Sequence, residues 1–136
     1  MTQEELQNLI DKANAANNLG EYDKAELIAI EVLNELDNFS DSILSEPDGL
    51  SEYSSNSPKE VSDRIVLRTG ALFVLVFSTH RRGMHNSALE QAEIILALAE
   101  KYSLHEVLPK AWNAIGNIHL HLGVYDKSLE NYNKAL

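Results

Sequence analysis

Three short turn motifs, each with apolar residues at helical spacing on both sides, constrain the fold of this chain most strongly. A glycine, one variable residue and then tyrosine or histidine occur at Gly20-Glu21-Tyr22, Gly83-Met84-His85 and Gly123-Val124-Tyr125. Glycine readily adopts the left-handed backbone conformation with which many helices end. Each motif is therefore predicted to end one helix and begin the next, which gives three helical hairpins.

The apolar residues around these turns follow the period of an amphipathic helix. Before Gly20 they recur every three or four positions, at Leu6, Leu9, Ile10, Ala13 and Ala16. Taken alone, the run from Ala71 to Phe77 also fits a buried strand, but the long continuous pattern around it favours a helix. The sequence predicts an all-α fold with six main helices in three antiparallel pairs, stacked as a right-handed α-solenoid.

Three of the six helices also carry a start signal. In a capping box, a serine or threonine side chain accepts a hydrogen bond from the backbone three residues later, where a glutamate or glutamine returns the bond. Proline is favoured directly after the cap. These boxes are predicted at Thr2 to Glu5, at Ser57 to Glu60 with Pro58 as the first helical residue, and at Ser103 to Glu106.

The stretch between the first and second hairpins has a different character. Residues 38–57 are rich in serine, asparagine, aspartate, proline and glycine, which is typical of turns, and we predict a polar loop there. A loop of this length in a compact domain is usually functional or disordered. The prediction is therefore one domain over residues 1–136, with repeat units at 3–37, 57–102 and 104–136.

Composition excludes several classes of function. The 136 residues include no cysteine, which rules out disulfide scaffolds and thiol chemistry. Acidic residues number 21 against 11 basic ones, and a net charge of −10 disfavours binding to nucleic acid. The strongly apolar run 71–77 is too short to span a bilayer, and the acidic N-terminus does not resemble a secretory signal. We expect a soluble cytoplasmic protein that acts on neither nucleic acid nor membrane.

The third unit carries the most specific motif. Trp112, Ile115-Gly116 and His119 fall at the spacing W-x2-L-G-x2-Y of the tetratricopeptide repeat, with histidine in place of the tyrosine. Gly116 is small, as is Ser128 in the following helix, and this pair is expected to let the two helices approach closely. Tyr125, Tyr132 and Ala135 continue the pattern. Residues 104–136 therefore resemble a tetratricopeptide repeat, and the remaining units resemble it in their turn glycines and small residues.

This resemblance carries implications for architecture and context. The interval of 40 residues between Gly83 and Gly123 is similar to the repeat length of the long-helix repeats that precede the output domains of bacterial signalling proteins. The chain ends before the second helix of the third unit is complete. The resemblance thus implies that these residues are the N-terminal part of a longer protein.

No residue pattern indicates catalysis or a metal site. His119 and His121 are two positions apart and face different sides of a helix, while His80 and His85 are separated by a turn and His105 stands alone. The acidic residues lie on polar helix faces, where no pair has the apolar surroundings that separate two carboxyl pKa values. We expect no enzymatic activity, no metal and no cofactor.

The resemblance also implies a binding surface, because the first helices of such repeats line a concave groove. Asparagine amides there can pair with a peptide backbone, and phenylalanine rings can anchor an apolar side chain. Ile10 and Asn17 fall on the same predicted face as the site. The carboxylate clamp that some repeats use for chaperones is incomplete, since Ile10 and Ala114 replace two of its basic residues. The predicted groove residues are Asn14, Phe73, Phe77, His80, Arg81, Lys110, Asn113, Asn117 and His121.

Two functions remain open on these grounds. The first is a non-catalytic interaction module that binds a peptide or partner domain in the groove. The alternative is a regulatory or oligomerisation segment that packs against its own output domain or a second copy, as a homodimer. Covering of the phenylalanines by loop 38–57 is also open. The basic cluster at residues 79–83 fits either cations at a helix C-terminus or a contact with an acidic peptide.

Overall fold

The structure is a computed structural model that describes residues 1–44 and 58–136. The described residues form six helices and no strand, so the predicted all-α fold is confirmed. The longest helices, α2 and α3, precede and follow the undescribed segment. The helices are α1 (Gln3–Asn18), α2 (Tyr22–Leu44), α3 (Pro58–Arg81), α4 (His85–Lys101), α5 (Val107–His121) and α6 (Tyr125–Ala135).

The helices pack in adjacent pairs, as in an α-solenoid. Helix α1 packs on α2, α3 on α4 and α5 on α6, and further contacts join α2 to α3 and α4 to α5. Helices α1, α3 and α5 also contact one another in that order along one side of the array. Among the described helices, none combines the length and apolar character that crossing a membrane requires.

The three turn glycines end helices as the sequence predicts. Gly20, Gly83 and Gly123 have φ values of 80°, 84° and 79°, in the left-handed region. After each glycine, the next backbone N–H bonds back to a carbonyl of the helix's last turn; Met84 N, for example, lies 2.9 Å from Thr79 O. This pattern is the Schellman motif, which satisfies carbonyls that the helix itself leaves without donors.

Residue Ser103 takes the role of glycine in the turn between α4 and α5. Its φ is 54°, and the N–H of the next residue, Leu104, donates to Ala99 O at 2.8 Å. The capping box predicted at Ser103 to Glu106 is therefore wrong: α5 begins at Val107, and the side chain of Glu106 makes no capping bond. Ser103 is in the left-handed region and precedes Glu106, the N-cap residue of α5, by three positions. Its side chain is therefore not placed to cap α5.

The starts of the first and third helices agree with their signals. The N–H of Glu5 donates to Thr2 Oγ1 at 3.1 Å, which confirms the cap of α1. Helix α3 begins at Pro58 as predicted, while Ser57 lies outside the described residues. Pro109 is the third residue of α5, where a backbone N–H has no helical partner, so the helix continues without losing a bond.

Helix α2 extends into the segment that the sequence predicts as a polar loop. Helix α2 continues through Leu44, so the prediction is wrong for residues 38–44, and residues 45–57 lie outside the described part of the chain. Leu36, Phe39 and Ile43 keep the three- and four-residue spacing of the helix across this stretch. The serines and aspartate between them cost only tenths of a kcal/mol each in helix propensity, about 0.7 at most.

Two clusters of buried side chains stabilise the array, and α3 belongs to both. Val74 lies in the cluster shared by α1, α2 and α3, whereas Val76 lies in the one shared by α3, α4 and α5. Alanines fill many of the interhelical positions and are completely buried, which lets the helix backbones approach closely. These include Ala13, Ala25, Ala29, Ala71, Ala88, Ala92, Ala99 and Ala111.

Candidate functional site

The candidate site is a groove where α1, α3 and α5 meet, formed by two adjoining depressions that share Phe77, His80 and Asn117. The apolar depression has a volume of about 250 Å³ and is lined by Asn14, Phe73, Val76, Phe77, His80, Ala114, Asn117 and Ile118. The basic depression has a volume of about 480 Å³ and is lined by Phe77, His80, Arg81, Gly83, His85, Asn117 and His121.

The structure brings most of the predicted groove residues together. Lys110 and Asn113 are the exceptions: they are exposed but line neither depression. Both lie in the N-terminal half of α5, whereas the groove follows the C-terminal halves of α3 and α5. The predicted residues that line the groove are Asn14, Phe73, Phe77, His80, Arg81, Asn117 and His121.

Two further positions on α1 were predicted to face the groove and are instead part of the core. Ile10 and Asn17 are only 3% and 4% exposed, because α1 packs directly on α3. The amide nitrogen of Asn17 donates to Val74 O at 3.2 Å, while its Oδ1 is buried without a hydrogen-bond partner. Asn17 therefore ties α1 to α3 and contacts no solvent in the groove.

The floor of the apolar depression is formed by buried aliphatic side chains. Val76 and Ile118 belong to the second core cluster and fix this floor between α3 and α5. Phe73 is half-buried, whereas Phe77 is 37% exposed at the boundary between the two depressions. The guanidinium carbon of Arg81 lies 5.2 Å from the centre of the Phe77 ring, within cation–π range. The Phe77 ring thus lies beside the permanent positive charge of Arg81.

Asn117 connects the groove to the last helix. Its Oδ1 accepts a hydrogen bond from the Tyr132 hydroxyl of α6. That bond orients the amide, so the Nδ2 group is the donor it can offer to a ligand. Across the apolar depression, Asn14 of α1 presents a second exposed amide.

Three imidazole rings from three helices form a cluster in the basic depression. His80 is the next-to-last residue of α3, His85 begins α4 and His121 ends α5. The ring centre of His80 lies 4.8 Å from that of His85 and 4.5 Å from that of His121, and the other two centres are 5.4 Å apart. We refer to these three residues as the histidine cluster.

Hydrogen bonds define how the cluster is protonated. The Nδ1 atoms of His80 and His85 are 3.0 Å apart, so one of them donates to the other. The Nδ1 of His121 is 2.9 Å from Asn117 O. Because a carbonyl oxygen only accepts, His121 carries a proton on Nδ1, and its Nε2 is an acceptor when the ring is neutral. The structure also confirms that His119 and His121 face different sides of α5, since His119 is buried and His121 is exposed.

The surroundings of His80 disfavour its charged form. Burial lowers the pKa of His80 below its ordinary value, and the nearby His121, His85 and Arg81 lower it further by repulsion. No carboxylate of the described residues pairs with a member of the cluster or with Arg81. The described residues also contain no group of three histidine or acidic side chains placed to hold a metal ion.

The two neighbouring arginines at the end of α3 have opposite environments. Arg82 bonds to Asp23 and, at 3.2 Å, to Glu26, both on α2. Glu26 is further fixed by the Ser78 hydroxyl at 3.1 Å. Arg81 lines the basic depression, where its guanidinium lies over the Phe77 ring. Asp23 and Glu26 of α2 therefore neutralise Arg82, whereas the charge of Arg81 faces the groove.

His85 is a polar groove residue that the sequence did not indicate. It lies on α4, whereas the groove positions were derived from first helices alone. The signal was its place directly after the Gly83 turn, because a Schellman turn brings the start of the next helix beside the end of the previous one.

Comparison with known proteins adds no further identification: no family model, curated protein or solved structure matches this chain.

Proposed function

We propose that this chain is a non-catalytic protein-interaction module of the tetratricopeptide kind, which binds a peptide or partner domain in the groove of α1, α3 and α5. The observation that carries the proposal is the partly exposed Phe77 beside Phe73, over a firm aliphatic floor. Aromatic side chains in such settings contribute much of the binding energy at protein interfaces.

The polar residues around the rings suit an extended peptide. The amides of Asn14 and Asn117 lie on opposite sides of the apolar depression. An amide can pair with the N–H or C=O groups of a backbone independently of its side chains. The resemblance to repeats of bacterial signalling proteins is the basis for proposing a cytoplasmic role in signalling.

A random heptapeptide library displayed on phage tests this proposal. Peptides are selected on the unmodified chain and then assayed on Phe77→Ala and on a control variant, Leu129→Ala. Leu129 is 62% exposed on α6 and lies outside the groove, so the control removes a similar apolar area elsewhere. Circular dichroism establishes that both variants keep their helices.

The expected result is a set of peptides that bind the chain and Leu129→Ala but bind Phe77→Ala at least tenfold more weakly. Loss of one well-buried aromatic contact corresponds to roughly 2 kcal/mol, or about 30-fold in affinity. Absence of enriched peptides, or equal binding to both variants, would contradict the proposal.

One observation favours the second candidate, a regulatory or oligomerisation segment. Helix α6 exposes Tyr125 and Leu129, one helical turn apart, by 65% and 62%. These side chains form an apolar surface that a second copy or another domain can cover. Sedimentation equilibrium of the chain and of Leu129→Asp tests this: self-association that the charge abolishes supports the candidate, and a monomer at all concentrations counts against a homodimer.

A further inference from the structure

We propose that the ligand of this groove is a peptide with a carboxylate side chain a few residues from an apolar one. The carboxylate lies against Arg81 and the histidine cluster, and the apolar side chain enters the depression beside Phe77. This inference rests on the proposed function and specifies the chemistry of its ligand.

Charge is unevenly distributed between the whole chain and the groove. The chain has 21 acidic and 11 basic residues, and 15 of the acidic ones lie in residues 1–65. The basic depression nevertheless gathers one arginine and three histidines with no carboxylate among its lining residues. In a chain with this excess of acid, a concave surface that collects bases alone is complementary to an anion.

The two neighbouring arginines also differ in whether they have an acidic partner. Arg82 is bound by Asp23 and Glu26, so acidic side chains are available at this end of α3. Arg81, one residue earlier, has no such partner among the described residues. An external carboxylate would give Arg81 the type of charge-assisted hydrogen bond that Arg82 already has.

The helix macrodipole does not by itself account for the cluster. Cations are stabilised at helix C-termini, and this explains the presence of Arg81 and His121 at the ends of α3 and α5. His85, however, is the first residue of α4, where the dipole disfavours a cation and favours an anion. An anion in the basic depression would interact favourably with the side chains of Arg81, His121 and His85.

The two depressions adjoin, and this links the two parts of the ligand. Phe77, His80 and Asn117 line both, so an apolar side chain and a carboxylate of one peptide can occupy them together. Arg81 is the only guanidinium among the lining residues, and a doubly charged phosphate is usually bound by a cluster of arginines. The observations therefore favour a carboxylate over a phosphate.

Binding is expected to depend on pH through the histidine cluster. The groups that face His80 are His85 from α4, His121 from α5 and Arg81 from α3 itself. Helix α1 contributes the uncharged Asn14, and the nearby acids of α2, Asp23 and Glu26, pair with Arg82. Burial lowers the pKa of His80 and repulsion by His121, His85 and Arg81 lowers it further; a bound carboxylate offsets that repulsion. The complex therefore takes up protons, and affinity rises as the pH falls from 8 to 6, where the peptide carboxylate is still ionised.

The test uses the phage selection, carried out at pH 6, and a synthetic copy of the most enriched peptide. Its affinity is measured by fluorescence anisotropy at pH 6 and 8, alongside a copy with each Glu or Asp replaced by Gln or Asn and a copy with phosphoserine at the acidic position. The protein variants are Arg81→Gln, His80→Gln and a matched control, Lys101→Gln, which removes an exposed cation outside the groove.

The expected result is enrichment of peptides that contain Asp or Glu near an apolar residue. Arg81→Gln and the amide peptide should each weaken binding about tenfold but should not add when combined, because both remove the same charge-assisted bond. Affinity should fall about tenfold from pH 6 to pH 8 for the unmodified chain, less for His80→Gln, and Lys101→Gln should bind as the unmodified chain does.

The outcomes separate this inference from the proposed function. Peptides that depend on Phe77 but show no acidic bias, or that bind equally as amides, overturn the carboxylate and leave the interaction module intact. A phosphoserine copy that binds more than tenfold tighter than the acidic peptide overturns the choice of carboxylate over phosphate. If no peptide depends on Phe77, the inference and the proposed function both fail.

Discussion

The hydroxyl of Ser128 donates a hydrogen bond to the carbonyl oxygen of Gly116 at 2.9 Å and thereby joins α6 to α5. This contact requires two small residues at the point where the helices cross. A Cβ atom built on Gly116 would lie 2.8 Å from a ring carbon of Tyr132 and 3.3 Å from Ser128 O. The close approach predicted from the repeat motif is thus confirmed.

The Gly116→Ala variant is expected to lose about 1 to 3 kcal/mol of stability, because the ring of Tyr132 must move and α6 must shift with it. Urea unfolding followed by circular dichroism measures the loss. Gly70→Ala is the matched control: it lies within α3, and its nearest neighbour would be the terminal Cδ1 atom of Ile10 at 3.3 Å. Since alanine favours helix by about 1 kcal/mol, this control should be neutral or stabilising; equal losses in both variants would contradict the crossing argument.

Substitutions at the helix turns should have opposite signs at Gly83 and Ser103. Both residues are left-handed, with φ values of 84° and 54°. A Cβ in that conformation costs about 1 kcal/mol, so Gly83→Ala should destabilise the chain and Ser103→Gly should stabilise it by similar amounts. No atom lies within 4 Å of a Cβ at Gly83, so the effect there is conformational. Thermal unfolding of the two variants checks the signs, and a shift in the same direction would refute the explanation.

A buried charge should be poorly tolerated at Asn17. Asn17→Asp places a carboxylate where the residue is 4% exposed and beside Val74 O, which can only accept hydrogen bonds. We expect a loss of roughly 3 kcal/mol at pH 7.5. The loss should shrink at pH 4.5, since burial raises a carboxyl pKa and the neutral acid can donate to Val74 O.

Asn18→Asp is the control for this experiment, because Asn18 is the adjacent residue at the same end of α1 and is exposed. This control measures the loss of stability caused by a negative charge at an exposed helix C-terminus, which is about 0.5 kcal/mol. Equal effects of the two substitutions at pH 7.5 would show that Asn17 is not buried as described.

Acidification should destabilise the folded chain through His80. Its pKa is lowered by burial and by His121, His85 and Arg81, so the unfolded chain binds a proton at higher pH than the folded chain does. The free energy of unfolding therefore falls as the pH drops below the unfolded value of about 6.5. Titration of the histidine ring protons by NMR should show His80 as a low-pKa imidazole.

His121→Gln should raise the pKa of His80 because it removes one of the repelling rings. His105→Gln is the control, since His105 is exposed in the turn between α4 and α5 and belongs to no part of the cluster. A His80 resonance that titrates at or above 6.5 in the unmodified chain, or that ignores His121→Gln, would contradict the arrangement of the rings.

The helices and their glycine turns were predictable because each depends on neighbouring residues. A glycine after an apolar helical pattern, or Thr2 three residues before Glu5, specifies a local bond that the structure contains. The capping box predicted at Ser103 was wrong for the same reason. The spacing of Ser103 to Glu106 matches a capping box, but where α4 packs on α5 this residue adopts the left-handed conformation of the turn.

The groove was only partly predictable because it depends on how far each helix extends past its neighbour. Lys110 and Asn113 have the same periodicity as Asn117, yet the groove follows the C-terminal part of α5 and leaves them outside. The meeting of His80, His85 and His121 joins residues up to 41 positions apart in three helices. No local pattern encodes such a contact, which arises from the stacking of α3, α4 and α5.

Membership of α3 in both buried clusters has a consequence for motions of the native chain. Val74 faces one cluster and Val76 the other, so α3 cannot open without disrupting the packing of four neighbouring helices. Amide hydrogens in the middle of α3 should therefore exchange with solvent only when the whole chain unfolds. Those of α6, which packs chiefly on α5, should exchange through local fraying. We therefore expect the array to open as one cooperative unit built around α3, while α6, which depends chiefly on α5, opens separately.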